Sequence, residues 1–120
     1  MDRKSTVLVF SRHYLPGYRA CQLIYPLSNL VNRLREEINF YIITLDRDAG
    51  SKDPYDNIVP GEWNQVNGVN VWYLNPQNLA VKTLVELFNE IEPDVIYLNN
   101  FFDNILTQRI LWTRRMGQLG

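Results

Sequence analysis

Thr6-Val-Leu-Val-Phe-Ser11 is an apolar run rich in β-branched residues, with no polar residue in its interior to face solvent. Such a strand suits burial on both faces, the situation of an inner strand in a parallel sheet. Asn39-Phe-Tyr-Ile-Ile-Thr-Leu45 and Asp94-Val-Ile-Tyr-Leu98 share this character. Parallel neighbours need a long crossover between them, usually a helix. The segment between the first two runs supplies one, because Leu23, Ile24, Leu27, Leu30, Val31 and Leu34 recur at helical spacing and would line one face. Pro26 falls within that pattern and is tolerable near a helix start, where a missing N–H does least harm.

Outward from these runs the pattern keeps alternating. Asp46 to Gly61 is a polar loop carrying Gly50, Pro54 and Pro60. Trp63-Asn-Gln-Val66, Asn67-Gly68 and Val69-Asn-Val-Trp-Tyr-Leu74 follow, and Asn-Gly between two such runs is a hairpin signal with a mechanism, since both residues accept positive φ. A small antiparallel appendage leading into a third main strand is expected. Asn78 can cap a helix whose apolar face is Val81, Leu84, Leu87, Phe88 and Ile91, and Pro93 stops it. After the fourth main strand comes a loop, Asn99 to Asp103, and then a helical segment from Ile105 to Met116, with Arg114 and Arg115 in its last turn and Gly117 and Gly120 as stop signals.

The order is strand, helix, strand, hairpin with strand, helix, strand, helix. It predicts an α/β domain over residues 1–120: a Rossmann-like parallel sheet with flanking helices and a small β-hairpin insertion. With main strands in the order 3-2-1-4, the fourth would be a bare apolar edge, open to another chain or a second copy. The last helix should feed a further strand and none follows, so the domain is expected to be incomplete.

Composition narrows the functional classes. Twelve basic residues nearly cancel thirteen acidic ones, which argues against general nucleic-acid binding. Cys21 is the single cysteine, which excludes an internal disulfide or a cysteine metal cluster and fits a reducing, cytoplasmic setting. Val7 to Phe10 is too short for a signal-peptide core or a membrane span. Membrane-surface association through other parts of a complete enzyme stays open.

In open α/β sheets, ligands bind beyond the carboxyl ends of the strands, where the strand order reverses. Here that place is framed by Ser11-Arg-His-Tyr-Leu-Pro-Gly-Tyr-Arg-Ala20 and by Asn99 to Asp103. Arginine forks suit phosphate or carboxylate oxygens, and glycine lets the backbone come close to a ligand. The same loop also reads as a solvated turn with ordinary surface arginines. His13 is the weakest candidate, for a catalytic base, because no orienting partner is evident. Asp46-Arg47-Asp48 reads as a loop-ordering charge network rather than a ribose site, since Gly17 alone stands where dinucleotide binding needs three glycines. Cys21 would open a helix but has no assignable base. Trp63 and Trp72 read as packing residues, with stacking on a sugar as the alternative.

Several segments, taken in order, resemble family 4 glycosyltransferases: Tyr14-Leu-Pro-Gly-Tyr-Arg-Ala20, Ser28-Asn-Leu-Val31, Ile43-Thr-Leu-Asp-Arg-Asp48, Pro54-Tyr55, Gly61-Glu-Trp63, Val71-Trp-Tyr-Leu-Asn-Pro76 and Pro93-Asp-Val-Ile-Tyr-Leu-Asn99-Asn-Phe-Phe102. The resemblance spans about residues 6–117. It implies the N-terminal, acceptor-side domain of a GT-B enzyme. Such an enzyme moves a sugar from a nucleotide-diphosphate-sugar donor to a glycan or lipid-linked acceptor, with retention and without a metal ion or other cofactor, as in cell-surface polysaccharide biosynthesis. The donor and the glutamates that grip it would belong to a second domain, and no glutamate pair here has the family's spacing. The resemblance places Gly17, Tyr18 and Arg19 on the cleft wall, with Asn99 and Asn100 facing them. Where the family continues Gly-Gly-Pro, this chain has Cys21-Gln22-Leu23, so side chains stand where bare backbone would meet phosphate. The isolated chain is expected to be inactive. The alternative is a non-catalytic binding or assembly module that keeps the fold. A flavodoxin-like or Walker-type nucleotide switch finds no motif.

Overall fold

The structure is a computed structural model and describes residues 4–75 and 81–98. It is a mixed α/β fold in which a five-stranded sheet lies between two helices. In chain order the elements are β1 (Ser5–Phe10), α1 (Cys21–Leu34), β2 (Ile38–Leu45), β3 (Trp63–Val66), β4 (Val69–Leu74), α2 (Val81–Ile91) and β5 (Val95–Leu98). The sheet order is β3-β4-β2-β1-β5. Four strands are parallel, and β3 is antiparallel on the outside of β4. Leaving out the hairpin strand, this is the 3-2-1-4 order expected from the sequence.

Alternation along each strand divides the core. Leu8, Phe10, Ile43, Leu45 and Leu74 face α2 and pack against Leu84, Leu87, Phe88 and Ile91. Val9, Phe40, Ile42, Val71 and Tyr73 face α1 and pack against Leu27 and Val31. Phe10 and Phe88 meet edge to face at 5.6 Å, a favoured aromatic geometry. Deleting a side chain such as Phe88, only 2% exposed, costs roughly 3–5 kcal/mol in cores of this kind.

The α1 stripe is narrower than the spacing suggested. Ile24, Leu27 and Val31 are buried, whereas Leu30 is 43% exposed. Leu30 lies on the flank of the stripe because its helical angle falls outside the arc set by those three. Pro26 is the sixth residue of α1, beyond the first turn. It lies on the exposed side of the helix, where water can serve the carbonyl that loses its N–H partner.

The hairpin forms at the expected place. Val66 pairs with Val69, and Asn67 (φ 51°) and Gly68 (φ 79°) make the turn, the pair of left-handed residues that matches strand twist. Helix α2 ends with Glu92 at φ 50°, and the Glu92 N–H donates to the Phe88 carbonyl at 2.8 Å. Pro93 then prevents continuation. Asp94 ties β5 to β1 at its start: its N–H donates to the Thr6 carbonyl at 2.8 Å, and its carboxylate accepts the Thr6 N–H at 2.7 Å.

Phe10 pairs with Leu98 in parallel register, so β1 and β5 end side by side and the chain leaves both at one rim. Val95 (54% exposed) and Tyr97 (45%) leave the outer strand open toward the face that carries α1. Asn78, Asn99, Asn100 and the segment from Ile105 to Met116 lie outside the described residues.

Candidate functional site

The rim at the carboxyl ends of the parallel strands is built from two connections, residues 11–20 after β1 and residues 46–62 after β2. The first is anchored at its base. The Ser11 N–H continues the sheet by donating to the Ile43 carbonyl at 3.1 Å, and the Ser11 hydroxyl donates to the His13 carbonyl at 2.8 Å. Tyr14 then turns inward and is 1% exposed. A tight turn follows, in which the Gly17 N–H donates to the Tyr14 carbonyl at 2.9 Å.

Phenols from elsewhere in the fold hold this turn down. Tyr73, on β4, donates its hydroxyl to the Leu15 carbonyl at 2.6 Å. Tyr55 donates to the Tyr14 carbonyl at 3.4 Å, and the Tyr55 and Tyr73 rings meet edge to face at 5.9 Å. Burial, then the Asp48 and Asp46 charges, pushes the Tyr55 phenol far above its ordinary value. Burial, then the Tyr55 and Tyr14 phenols, does the same to Tyr73. Burial also raises Tyr14, partly offset by its hydrogen bond with Ser28. All three are therefore neutral at ordinary pH, and Tyr55 and Tyr73 serve as donors to the turn.

Gly17 occupies a place that admits no side chain. A Cβ there would lie 2.4 Å from the Tyr55 hydroxyl, 2.9 Å from the Asp48 carboxylate and 3.0 Å from the Tyr14 carbonyl. Immediately after it, the Asp48 carboxylate accepts the N–H groups of Tyr18 and Arg19, both at 3.2 Å, and that of its neighbour Ala49 at 2.8 Å. Burial pushes this carboxyl up, but the three amides and the Arg19 charge outweigh it and hold the group below its ordinary value. The Arg19 guanidinium also donates to the Ala49 carbonyl at 3.4 Å. Next to Asp48, Arg47 pairs with the buried Asp46 at 2.9 Å and donates to the Lys52 carbonyl at 2.6 Å. Asp46-Arg47-Asp48 is thus the loop-ordering network that its charges suggested.

Between the two connections lies an open groove of about 510 Å³. Pro16, Tyr18 and Arg19 form one wall, and Asp48, Ser51 and residues 53–57 form the other. Tyr18 is 63% exposed, with its ring free to receive a ligand face. The structure therefore brings Gly17, Tyr18 and Arg19 to one place. His13 is half-buried in the same loop but does not line the groove.

The chain matches no protein-family model, no curated protein and no solved structure.

The rim is left to its own chemistry. Among the described residues no group of three His, Cys, Asp or Glu is placed to hold a metal ion, and no helix is long and apolar enough to cross a membrane. Cys21 is exposed at the start of α1, and Ala20 caps that helix without a side-chain hydrogen bond. Trp63 and Trp72 pack edge to face at 5.2 Å against the core on the α2 side, and the Trp63 N–H donates to Glu90 at 3.2 Å. Both are packing residues, remote from the groove lining. The grip of Asp48 on the Tyr18 and Arg19 amides was not read from the sequence, nor was the clasp of Tyr55 and Tyr73 on the turn. Their only advance signal is a carboxylate and two phenols near strand ends.

Proposed function

We propose that this chain is the acceptor-side part of a GT-B glycosyltransferase, with a Rossmann-like domain that shapes the cleft for a sugar acceptor. In this reading a nucleotide-diphosphate-sugar donor is gripped by a second domain facing the rim. The observation that carries the reading is the fixed turn at Gly17, Tyr18 and Arg19: the Gly17 N–H is held by the Tyr14 carbonyl, and the Tyr18 and Arg19 amides are held by Asp48 beside the groove. A preset wall at the carboxyl ends of parallel strands is where α/β folds place their ligands. The strand order around β1 is also the order such a domain requires.

Titration of isotope-labelled protein tests this by backbone amide shifts. Saccharides should perturb residues 16–19 and 48–57. UDP-, GDP- and dTDP-sugars should perturb the same rim more weakly, because the nucleotide end finds no grip here. Tight binding of a free nucleoside diphosphate at the rim would sink the reading. So would perturbation confined to the opposite end of the strands, around Arg35 and Gly68.

A second reading, an assembly module that keeps the fold without the chemistry, is favoured by one observation: Val95 and Tyr97 are exposed on an edge strand. Sedimentation distinguishes the two. A concentration-dependent dimer lost in Tyr97→Lys supports assembly, and a monomer at all concentrations removes it.

A further inference from the structure

Arginine near a turn at a strand end invites assignment as a phosphate clamp, and the geometry around Arg19 points elsewhere. Its Nη1 donates to the Ala49 carbonyl at 3.4 Å, and its charge acts on the Asp48 carboxylate. The guanidinium thus ties the two connections together. Its backbone N–H, rather than its fork, makes the bond to Asp48.

The rest of the lining reinforces this. Besides Asp48, the groove carries Asp53 and Asp56, both exposed, and among the described residues Arg19 is the only Arg or Lys on its walls. The lining thus carries three carboxylates to one guanidinium, with Lys52 exposed just outside it, an excess of negative charge that disfavours an anion there. The groove is also no simple acidic patch. The outward ring of Tyr18 provides an aromatic plate, and Pro16 and Pro54 provide apolar wall. Asn57 adds an amide. A plate flanked by hydrogen-bond acceptors is the chemistry that holds an uncharged polyhydroxyl ring: C–H groups lie on the aromatic face while hydroxyls donate to carboxylates.

We infer that the groove beside Tyr18 takes a neutral saccharide ring and rejects a phosphorylated one, with Tyr18 as the stacking surface and Asp53 and Asp56 as hydroxyl acceptors. This rests on the acceptor-side reading above and narrows it to an uncharged acceptor terminus. Phosphate carried by a lipid-linked acceptor would have to lie outside this groove.

The experiment titrates the labelled protein with the methyl glycosides of glucose, galactose, mannose and N-acetylglucosamine, and with the 6-phosphates of the same sugars. At least one neutral glycoside should shift the Tyr18, Asp53 and Asp56 amides. Its 6-phosphate should bind at least about threefold more weakly at low salt, with the gap closing as salt rises. Tyr18→Ala should weaken the neutral glycoside by about fivefold or more. The double substitution Asp53→Asn with Asp56→Asn should abolish the discrimination against phosphate. Arg19→Gln keeps the amide that Asp48 holds, and in that variant the 6-phosphate should remain the weaker ligand, since a positive charge has been removed from the wall. Urea midpoints of each variant establish that it is folded.

Tighter binding of the 6-phosphates, lost in Arg19→Gln, overturns the inference and leaves the acceptor-side reading standing. Binding of neither sugar class at the rim, or shifts only around Arg35 and Gly68, overturns both.

Discussion

The carboxylate of Asp48 accepts the N–H of Arg19 at 3.2 Å across 29 residues of sequence. With the Tyr18 N–H at 3.2 Å and the Ala49 N–H at 2.8 Å, it joins the connection after β1 to the connection after β2. Loops over strand ends are ordinarily the mobile parts of an α/β fold. Here an ionised acceptor organises three amides at once, so the wall of the groove is preset before any ligand arrives.

Asp48→Asn should therefore loosen the rim without unfolding the sheet. An asparagine keeps one acceptor oxygen but turns an amide donor toward backbone donors. The expected loss is about 1–3 kcal/mol, the range for a hydrogen-bonded charged group near a surface. Urea denaturation measures it, and amide exchange should quicken at Tyr18 and Arg19 while Ile42 and Ile43 stay protected. The sign of the pH dependence follows from the lowered carboxyl. A group with a depressed folded-state pKa contributes stability above its unfolded value and loses it as pH falls through the folded value. Wild-type stability should thus fall below about pH 4, an ordinary carboxylate value, and Asp48→Asn should flatten that part of the profile.

Gly17→Ala should be destabilising for a steric reason, and one partner can relieve it. The added methyl would meet the Tyr55 hydroxyl at 2.4 Å before any other atom. Overpacking of this kind costs about 1–3 kcal/mol. Tyr55→Phe deletes the offending oxygen together with its hydrogen bond to the Tyr14 carbonyl. The double variant should then be more stable than the sum of the single losses predicts. A double-mutant cycle in urea reads this coupling, and strict additivity would contradict the close approach.

Thr44 offers the opposite outcome. It is fully buried in β2 beside Tyr73, and its hydroxyl finds no hydrogen-bond partner among the described residues. An unpartnered buried hydroxyl costs free energy that an apolar group of the same shape does not. Thr44→Val should raise the thermal midpoint, with a gain of up to about 1 kcal/mol. A loss of more than about 1 kcal/mol would mean the hydroxyl is satisfied, for instance by an internal water.

The strands and their order were legible because physical constraints on them are local and periodic. The run at Thr6 to Ser11 has no polar residue in its interior, Asn67-Gly68 supplies both left-handed residues of its turn, and Pro93 leaves α2 no way to continue. What stayed hidden depends on three-dimensional approach. Leu30 matched a helical spacing that tolerates a wide stripe, while the buried apolar residues described on α1 are Ile24, Leu27 and Val31, with Ser28 buried on the side away from Leu30. Trp63 and Trp72 could be sorted only once β3 had folded onto the α2 side. At the rim, Gly17, Tyr18 and Arg19 stood out as a turn, but their holders come from residues 48, 55 and 73. No spacing rule links a carboxylate and two phenols to a loop so far along the chain.

Those phenols give a last prediction. Tyr14, Tyr55 and Tyr73 are all raised, in each case first by burial. They account for three of the seven tyrosines in the chain. A raised phenol stays protonated in the folded protein while the unfolded chain ionises near pH 10. Its contribution to stability is thus complete below about pH 10 and is lost as pH rises from there through the folded value. Ultraviolet titration of phenolate should show these three tyrosines silent, still protonated where the unfolded chain ionises, and ionising together as the sheet unfolds in stronger alkali. Tyr73→Phe removes one silent group and leaves the Leu15 carbonyl without its donor, at about 0.5–1.5 kcal/mol. In that variant two should remain silent, and a smooth titration of all the phenols near pH 10 in the folded protein would mean the turn is not clasped in this way.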